Sequence, residues 1–89
     1  MKVLYEKAFL KDIQKLRDHK VSDRLTQVLE EIKETNDLSL LGNIKKLKGH
    51  PSAFRIKVGD YRVGFFLEND HVILTRFLNR KNIYKVFPK

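Results

Sequence analysis

Apolar residues recur along this chain with two different periods, and the change of period divides it in two. Lys2-Val3-Leu4-Tyr5 is a short β-prone start. From Lys7 onward, Phe9, Ile13 and Leu16 fall at i, i+4 and i+7, the stripe of an amphipathic helix. Val21, Leu25, Val28, Leu29 and Ile32 form a second stripe that closes at Thr35-Asn36-Asp37, with Asp18-His19-Lys20 as the connection. This part reads as a helical hairpin whose apolar stripes pack on a sheet. From Ala53 the period drops to two. Phe54, Ile56 and Val58 alternate with Arg55 and Lys57, and after Gly59-Asp60 the strand pattern resumes from Tyr61 to Leu67. Glu68-Asn69-Asp70 marks another turn, and His71 to Leu78 is a third strand of this meander, whose Val72-Ile73-Leu74 run predicts a central position. Residues 36–52 read as one long irregular connection, and Asn79 to Lys85 as a short helical turn or a tail that Pro88 stops. The pattern predicts an α+β fold in one domain over residues 1–89: an N-terminal helical hairpin packed on a small antiparallel β-sheet, then a short C-terminal segment.

Glycine at the first central position of Gly59-Asp60 suits a type II′ hairpin turn. That turn pairs Val58 with Tyr61 and Lys57 with Arg62, and sets Arg55 opposite Gly64. Because side chains alternate across a strand, Arg55, Lys57 and Arg62 share one face, and Phe54, Ile56, Val58, Val63 and Phe65 the other. Like charges directly opposed in a sheet cost roughly 0.2–1 kcal/mol. Stability alone would not set Lys57 against Arg62. Gly64 beside Arg55 is expected to leave a shallow floor, so that this face becomes a concave cationic platform suited to phosphate groups.

Composition narrows the classes of function. With 89 residues the chain is too short for a two-domain enzyme or a doubly wound nucleotide-binding fold. It has no cysteine, which excludes disulfides and thiolate chemistry. No uncharged apolar run approaches the ~18–20 residues of a membrane span, and no apolar stretch follows the basic start as in a signal peptide. A cytoplasmic location without membrane contact is expected. The net charge is +8 and unevenly placed. Residues 1–45 carry nine Lys/Arg against eight Asp/Glu, whereas residues 46–89 carry ten against three. A half so cationic is a surface for a polyanion.

Candidate chemistry follows by elimination. His19, His50 and His71 are scattered with no partner at metal-ligand spacing, so no metal site and no cofactor are expected. Phosphate-binding glycine loops and the Gly-x-Ser-x-Gly elbow are absent from the sequence. Catalysis would therefore run on Arg, Lys and Tyr, a set suited to phosphodiester chemistry, where charge on phosphoryl oxygens must be stabilised. Lys45-Lys46-Leu47-Lys48-Gly49 is a dense basic run, and Asn79-Arg80-Lys81-Asn82-Ile83-Tyr84-Lys85 is a second cationic cluster. If the latter is helical, Arg80 and Tyr84 lie on one face at i and i+4. A phenol there either stacks on a base and exchanges a proton, or closes the edge of the core as a half-buried ring. The residues alone leave both open.

Several of these segments together resemble the RelE/ParE superfamily of toxin–antitoxin toxins, most nearly its RelE-like mRNA interferase branch. They are the helical hairpin, Lys46-Leu47-Lys48-Gly49, Phe54-Arg55-Ile56-Lys57-Val58-Gly59-Asp60-Tyr61-Arg62-Val63, and Asn79-Arg80-Lys81-Asn82-Ile83-Tyr84. The resemblance covers nearly the whole chain and implies a RelE-like, microbial-RNase-like fold. It implies a toxin that cleaves mRNA in the ribosomal A site, without a metal, by attack of a ribose 2′-hydroxyl on the adjacent phosphate. The products would be a 2′,3′-cyclic phosphate and a 5′-hydroxyl. It also implies a cognate acidic antitoxin as partner, alongside mRNA and the ribosome. By position, Tyr84 is the implied general base and stacking ring, Arg62 and Lys57 the phosphate ligands, and Arg80 the group that stabilises or protonates the leaving oxygen. Lys46, Lys48, Arg55, Asn79 and Lys81 are implied RNA contacts. The chain departs from the pattern at Asn79, where many relatives carry histidine; asparagine does not exchange protons near neutrality. Two other functions fit the same resemblance: a ParE-like inhibitor of DNA gyrase, and a non-catalytic RNA-binding regulator.

Overall fold

The computed structural model describes residues 1–88. A first strand β1 (Lys2–Tyr5) leads into helices α1 (Lys7–Gln14) and α2 (His19–Glu34), then a 3-10 turn at Leu38–Leu40. Strands β2 (Ile44–Lys46), β3 (Ala53–Val58), β4 (Tyr61–Glu68) and β5 (His71–Asn79) follow, and helix α3 (Arg80–Val86) closes the order. The α+β class and the helical hairpin are as the sequence predicts. The hairpin connection lies earlier than expected, at residues 15–18, because α1 ends at Gln14 and His19 and Lys20 already belong to α2. Asp18 is the reason: its carboxylate accepts the backbone N–H groups of Lys20 and Val21 at 2.9 and 3.2 Å and starts the helix there.

The sheet has the order β1-β5-β4-β3-β2. It is mixed rather than wholly antiparallel, since β1 pairs parallel with β5, Val3 lying beside Val72. Parallel neighbours cannot be joined by a tight turn; between β1 and β5 the chain crosses one face of the sheet through α1 and α2 to the far edge at β2 and returns through β3 and β4. The expected irregular connection also holds structure. Ile44–Lys46 adds an edge strand to β3, with Lys45 opposite Arg55. The most central strand is β4, and β5 is its neighbour.

The two hairpin turns obey their residues. Gly59 takes φ +60° while Asp60 does not enter the positive region, as a type II′ turn requires, and the β3–β4 register is the expected one. Asn69 and Asp70 both take positive φ, +50° and +64°, the backbone of a type I′ turn. Between Gly64 and Phe65 the β4–β5 register slips, their partners being Arg76 and Leu74, so Thr75 is an extra residue. This bulge lets Leu74 and Phe77, three positions apart, enter the same core.

That core lies between the sheet and the α1–α2 hairpin, where Phe9, Ile32, Val63, Phe65 and Leu74 are wholly buried. A buried polar lock crosses it. Asp12 of α1 accepts Nε and Nη2 of Arg76 at 2.8 and 2.9 Å and the backbone N–H of Phe77 at 2.9 Å. A smaller cluster on the opposite face joins Ala53, Ile83 and Phe87, and this cluster seats α3 on the sheet.

Candidate functional site

Four cations meet on the α3 side of the sheet, and strand register alone puts them there. Lys45 of β2 faces Arg55 of β3, and Lys57 of β3 faces Arg62 of β4, so two like-charge pairs lie side by side. Each pair costs roughly 0.2–1 kcal/mol relative to neutral partners. None of the four has a carboxylate partner among the described residues, where the one ion pair is Arg76 with Asp12. Local contacts hold two of them instead. Arg62 donates from Nη1 to the carbonyls of Gly59 and Tyr61 at 3.0 and 2.9 Å, which ties its guanidinium to the hairpin turn. The guanidinium carbon of Arg55 sits 4.4 Å from the ring centroid of Tyr84, a cation–π stack.

Tyr84 reaches this spot because α3 is fixed at both ends. At its start, Asn79 caps the helix by accepting the N–H of Lys81 at 2.9 Å, and the N–H of Arg80 donates to Asp60 of the hairpin turn, also at 2.9 Å. At its end, the Phe87 ring fills the space that Gly64 leaves. A Cβ on Gly64 would stand 2.7 Å from that ring. This corrects the expected shallow anion floor: the glycine is a seat for an aromatic ring. With Ile83 buried between, Tyr84 points outward and is 62% exposed. Ile83 and Phe87, both buried, close the core edge, and Tyr84 does not.

The result is a cleft of about 350 Å³ lined by Asn43, Lys45, Arg55, Lys57, Arg62 and Tyr84, with Ile44 at its side. The Tyr84 hydroxyl is held below its ordinary value of 10.0. Arg55 is the foremost cause, as a hydrogen-bonding neighbour and then through its charge; Arg62 and Lys45 add to it, and desolvation opposes them. Such a cleft can grip a phosphodiester by its oxygens. It also presents a ring with one face stacked on a cation and the rest open, and a phenol that gives up its proton more readily than usual. The lining residues hold no cluster of His, Asp or Glu to bind a metal.

Of the nine residues singled out from the sequence, the fold brings Lys57, Arg62, Arg55 and Tyr84 together. Arg80 begins α3 beside the hairpin turn that anchors Arg62, with its side chain exposed and outside the cleft lining. Asn79 spends its side-chain oxygen on the helix cap, and Lys81 is exposed on the same first turn. Lys46 pairs with Phe54 and lines a different groove, beside Leu38 and Leu67. Lys48 lies in the β2–β3 loop with Gly49 and His50, in a third depression. Lys45 and Asn43 were not singled out. Alternation would have separated Lys45 from Lys46 had the segment been read as a strand rather than a connection.

Comparison with known proteins bears on this geometry. Residues 3–84 match the family described as the ParE toxin of the type II toxin–antitoxin system parDE. Toxin RelE3 of Methanocaldococcus jannaschii is 42% identical over 89 residues, covering 99% of this chain and all of that protein. A RelB–RelE antitoxin–toxin complex from Methanococcus jannaschii superposes with a TM-score of 0.81 at 39% identity, covering 96% of this chain and 99% of the matched one. An archaeal RelE–RelB complex from Pyrococcus horikoshii shares the fold at 19% identity, with a TM-score of 0.72 over 91% of this chain and 96% of its own.

Proposed function

The chain belongs to the RelE/ParE superfamily of toxins from type II toxin–antitoxin systems, and we propose that within it this protein is a ribosome-dependent, metal-independent mRNA endoribonuclease. The observation that supports this reading is the cleft in which a phenol of lowered pKa stands among four cations without an ion-pair partner among the described residues. A protein that only binds has no use for a phenol poised to lose its proton. In the proposed reaction Tyr84, as phenolate, takes the proton of a ribose 2′-hydroxyl. The freed oxygen forms a bond to the adjacent phosphorus while the bond from phosphorus to the 5′-oxygen breaks. Arg62 and Lys57 hold the non-bridging oxygens as their charge grows. Arg80, next to the turn that anchors Arg62, stabilises the departing 5′-oxygen, which takes its proton from water. The products are a 2′,3′-cyclic phosphate and a 5′-hydroxyl. The exposed Tyr84 face stacks on the substrate base. Arg55, Lys45, Lys46, Lys48 and Lys81 meet flanking phosphates.

The partner in this reading is a cognate acidic antitoxin in the cytoplasm, and the solved relative from Methanococcus jannaschii is itself a RelB–RelE complex. Mapping the 5′ ends of transcripts after induction tests the activity: cuts in phase with codons are expected. Tyr84→Phe should lower cleavage by roughly 10²–10⁴-fold, the usual share of a general base, and Arg62→Ala by roughly 10²–10³-fold, that of a charge-stabilising donor; both should relieve growth arrest in protein that still folds and binds antitoxin. Full toxicity of both variants overturns the assignment. The name of the matched family favours a second reading, inhibition of DNA gyrase. That reading expects DNA-damage signalling and no phased cuts.

A further inference from the structure

The cleft does not end at Lys57. Lys57 and Asn43 also border a second depression of about 320 Å³, between α2 and the end of β3. Its other wall is α2: Arg24, Gln27 and Glu31 stand at i, i+3 and i+7, one polar stripe beside the apolar stripe that packs on the sheet. Its end is Gly59, where an added Cβ would come within 3.3 Å of Arg24 Nη1. Asn43 sits at the join in the left-handed region, φ +60°, with its carbonyl accepting the N–H of Lys57 at 3.0 Å. Arg24, Gln27 and Glu31 are all exposed, and neither Arg24 nor Glu31 has an ion-pair partner among the described residues.

The composition of this depression differs from that of the cleft. The described residues lining the cleft include four cations and no carboxylate, as a phosphate site should. The depression shares the Lys57 ammonium and the Asn43 carboxamide with it and adds one guanidinium, one carboxamide and one carboxylate from α2. A carboxylate repels a phosphate but accepts from the exocyclic amino group of a base, and a carboxamide does both jobs of an edge reader. We infer that this depression is a nucleobase-reading subsite. The nucleotide next to the scissile phosphate lays its base edge against Glu31 and Gln27, while Arg24 holds the flanking phosphate. Because Glu31 only accepts, the subsite favours a base that offers an exocyclic amino group; uracil has none, and its single edge donor, N3–H, is flanked by the acceptors O2 and O4, which repel the carboxylate. Phosphate contacts position the strand and edge contacts specify it. The inference rests on the nuclease reading and adds to it the groups that choose where to cut.

The test compares cut-site spectra, by 5′-end mapping, for the wild type, Glu31→Gln and Arg24→Ala. In the wild type, uracil should be depleted beside the cut by at least about fivefold, the low end of a base-edge contact. Glu31→Gln should bring that ratio to within about twofold of even, because the carboxamide can also donate. Arg24→Ala should lower total cutting several-fold with the spectrum unchanged. In parallel, Tyr84→Phe protein titrated with the ribotrinucleotides ApApA and UpUpU should shift the backbone amide resonances of residues 24–31 with the first and not the second. Cutting that persists in Glu31→Gln with an unaltered spectrum overturns the subsite and leaves the nuclease reading standing. So does an effect of these substitutions confined to antitoxin affinity. A wild type that makes no phased cuts overturns both.

Discussion

Two regions of the sheet treat arginine in opposite ways. On the stretch of β5 that β1 leaves uncovered, Arg76 is clamped bidentately by Asp12 of α1, which also takes a backbone N–H, and charge is neutralised beside the core. In the cleft Arg55 leans on an aromatic ring and Arg62 on two carbonyls, and neither meets a carboxylate among the described residues. One arginine is held by charge, the others by shape and dipoles. The first arrangement lowers the energy of the folded state. The second keeps positive charge uncompensated, at a cost of two opposed like-charge pairs, so that an incoming phosphate is the missing counter-charge.

That contrast can be broken from either side. The largest expected effect is on the scaffold. Asp12→Ala strands Arg76 and the Phe77 N–H, and should cost about 3 kcal/mol, the low end for a broken buried pair because Arg76 is 27% exposed. Urea denaturation measures it. Gly64→Ala drives a methyl into the Phe87 ring and should cost roughly 1–3 kcal/mol. Because Phe87 anchors the helix that carries Tyr84, activity should fall further than stability explains, which paired melting and cleavage assays would reveal. Lys57→Glu acts in the cleft with the opposite sign. Setting Glu against Arg62 and removing the repulsion should stabilise the fold by roughly 0.2–1 kcal/mol while abolishing toxicity. A rise in melting temperature together with loss of growth arrest would sharpen the contrast; a fall would contradict it.

The smallest expected effect is on pH dependence. A base acts in its deprotonated form, so lowering the Tyr84 pKa below 10.0 enlarges the phenolate fraction at every pH beneath it. Cleavage on ribosomes should therefore rise with pH, with a midpoint below 10. Arg55→Gln removes the main cause of the lowering. The rising limb should move to higher pH and the rate near neutrality should drop, with little change at the alkaline end. An unmoved profile would remove Tyr84 from the role of base.

Much of the site was legible because its geometry is local. Gly59-Asp60 sets the turn, the turn sets the register, and period-two alternation then places Arg55, Lys57 and Arg62 on one face. The segment around Ile44 was not legible as a strand. It is three residues long and pairs only along one edge, so it shows no period, and Lys45 went unnoticed beside Lys46. The Asp12–Arg76 lock joins positions 64 apart, and no local pattern announces such a pair. The bulge at Thr75 was equally hidden, since only packing against the helices favours placing Leu74 and Phe77 on the same side.

On its own, the amino-acid order determined the class of fold, the two turns, the β3–β4 register and the concentration of positive charge in the second half. These depend on neighbours within a few residues and on composition. Only the tertiary structure decided that Phe87 occupies the hollow of Gly64, that Tyr84 thereby stands over Arg55, and that Lys45 and Asn43 complete the cleft. Those contacts join residues far apart in the chain, and their energies exist only once the sheet and helices are packed against one another.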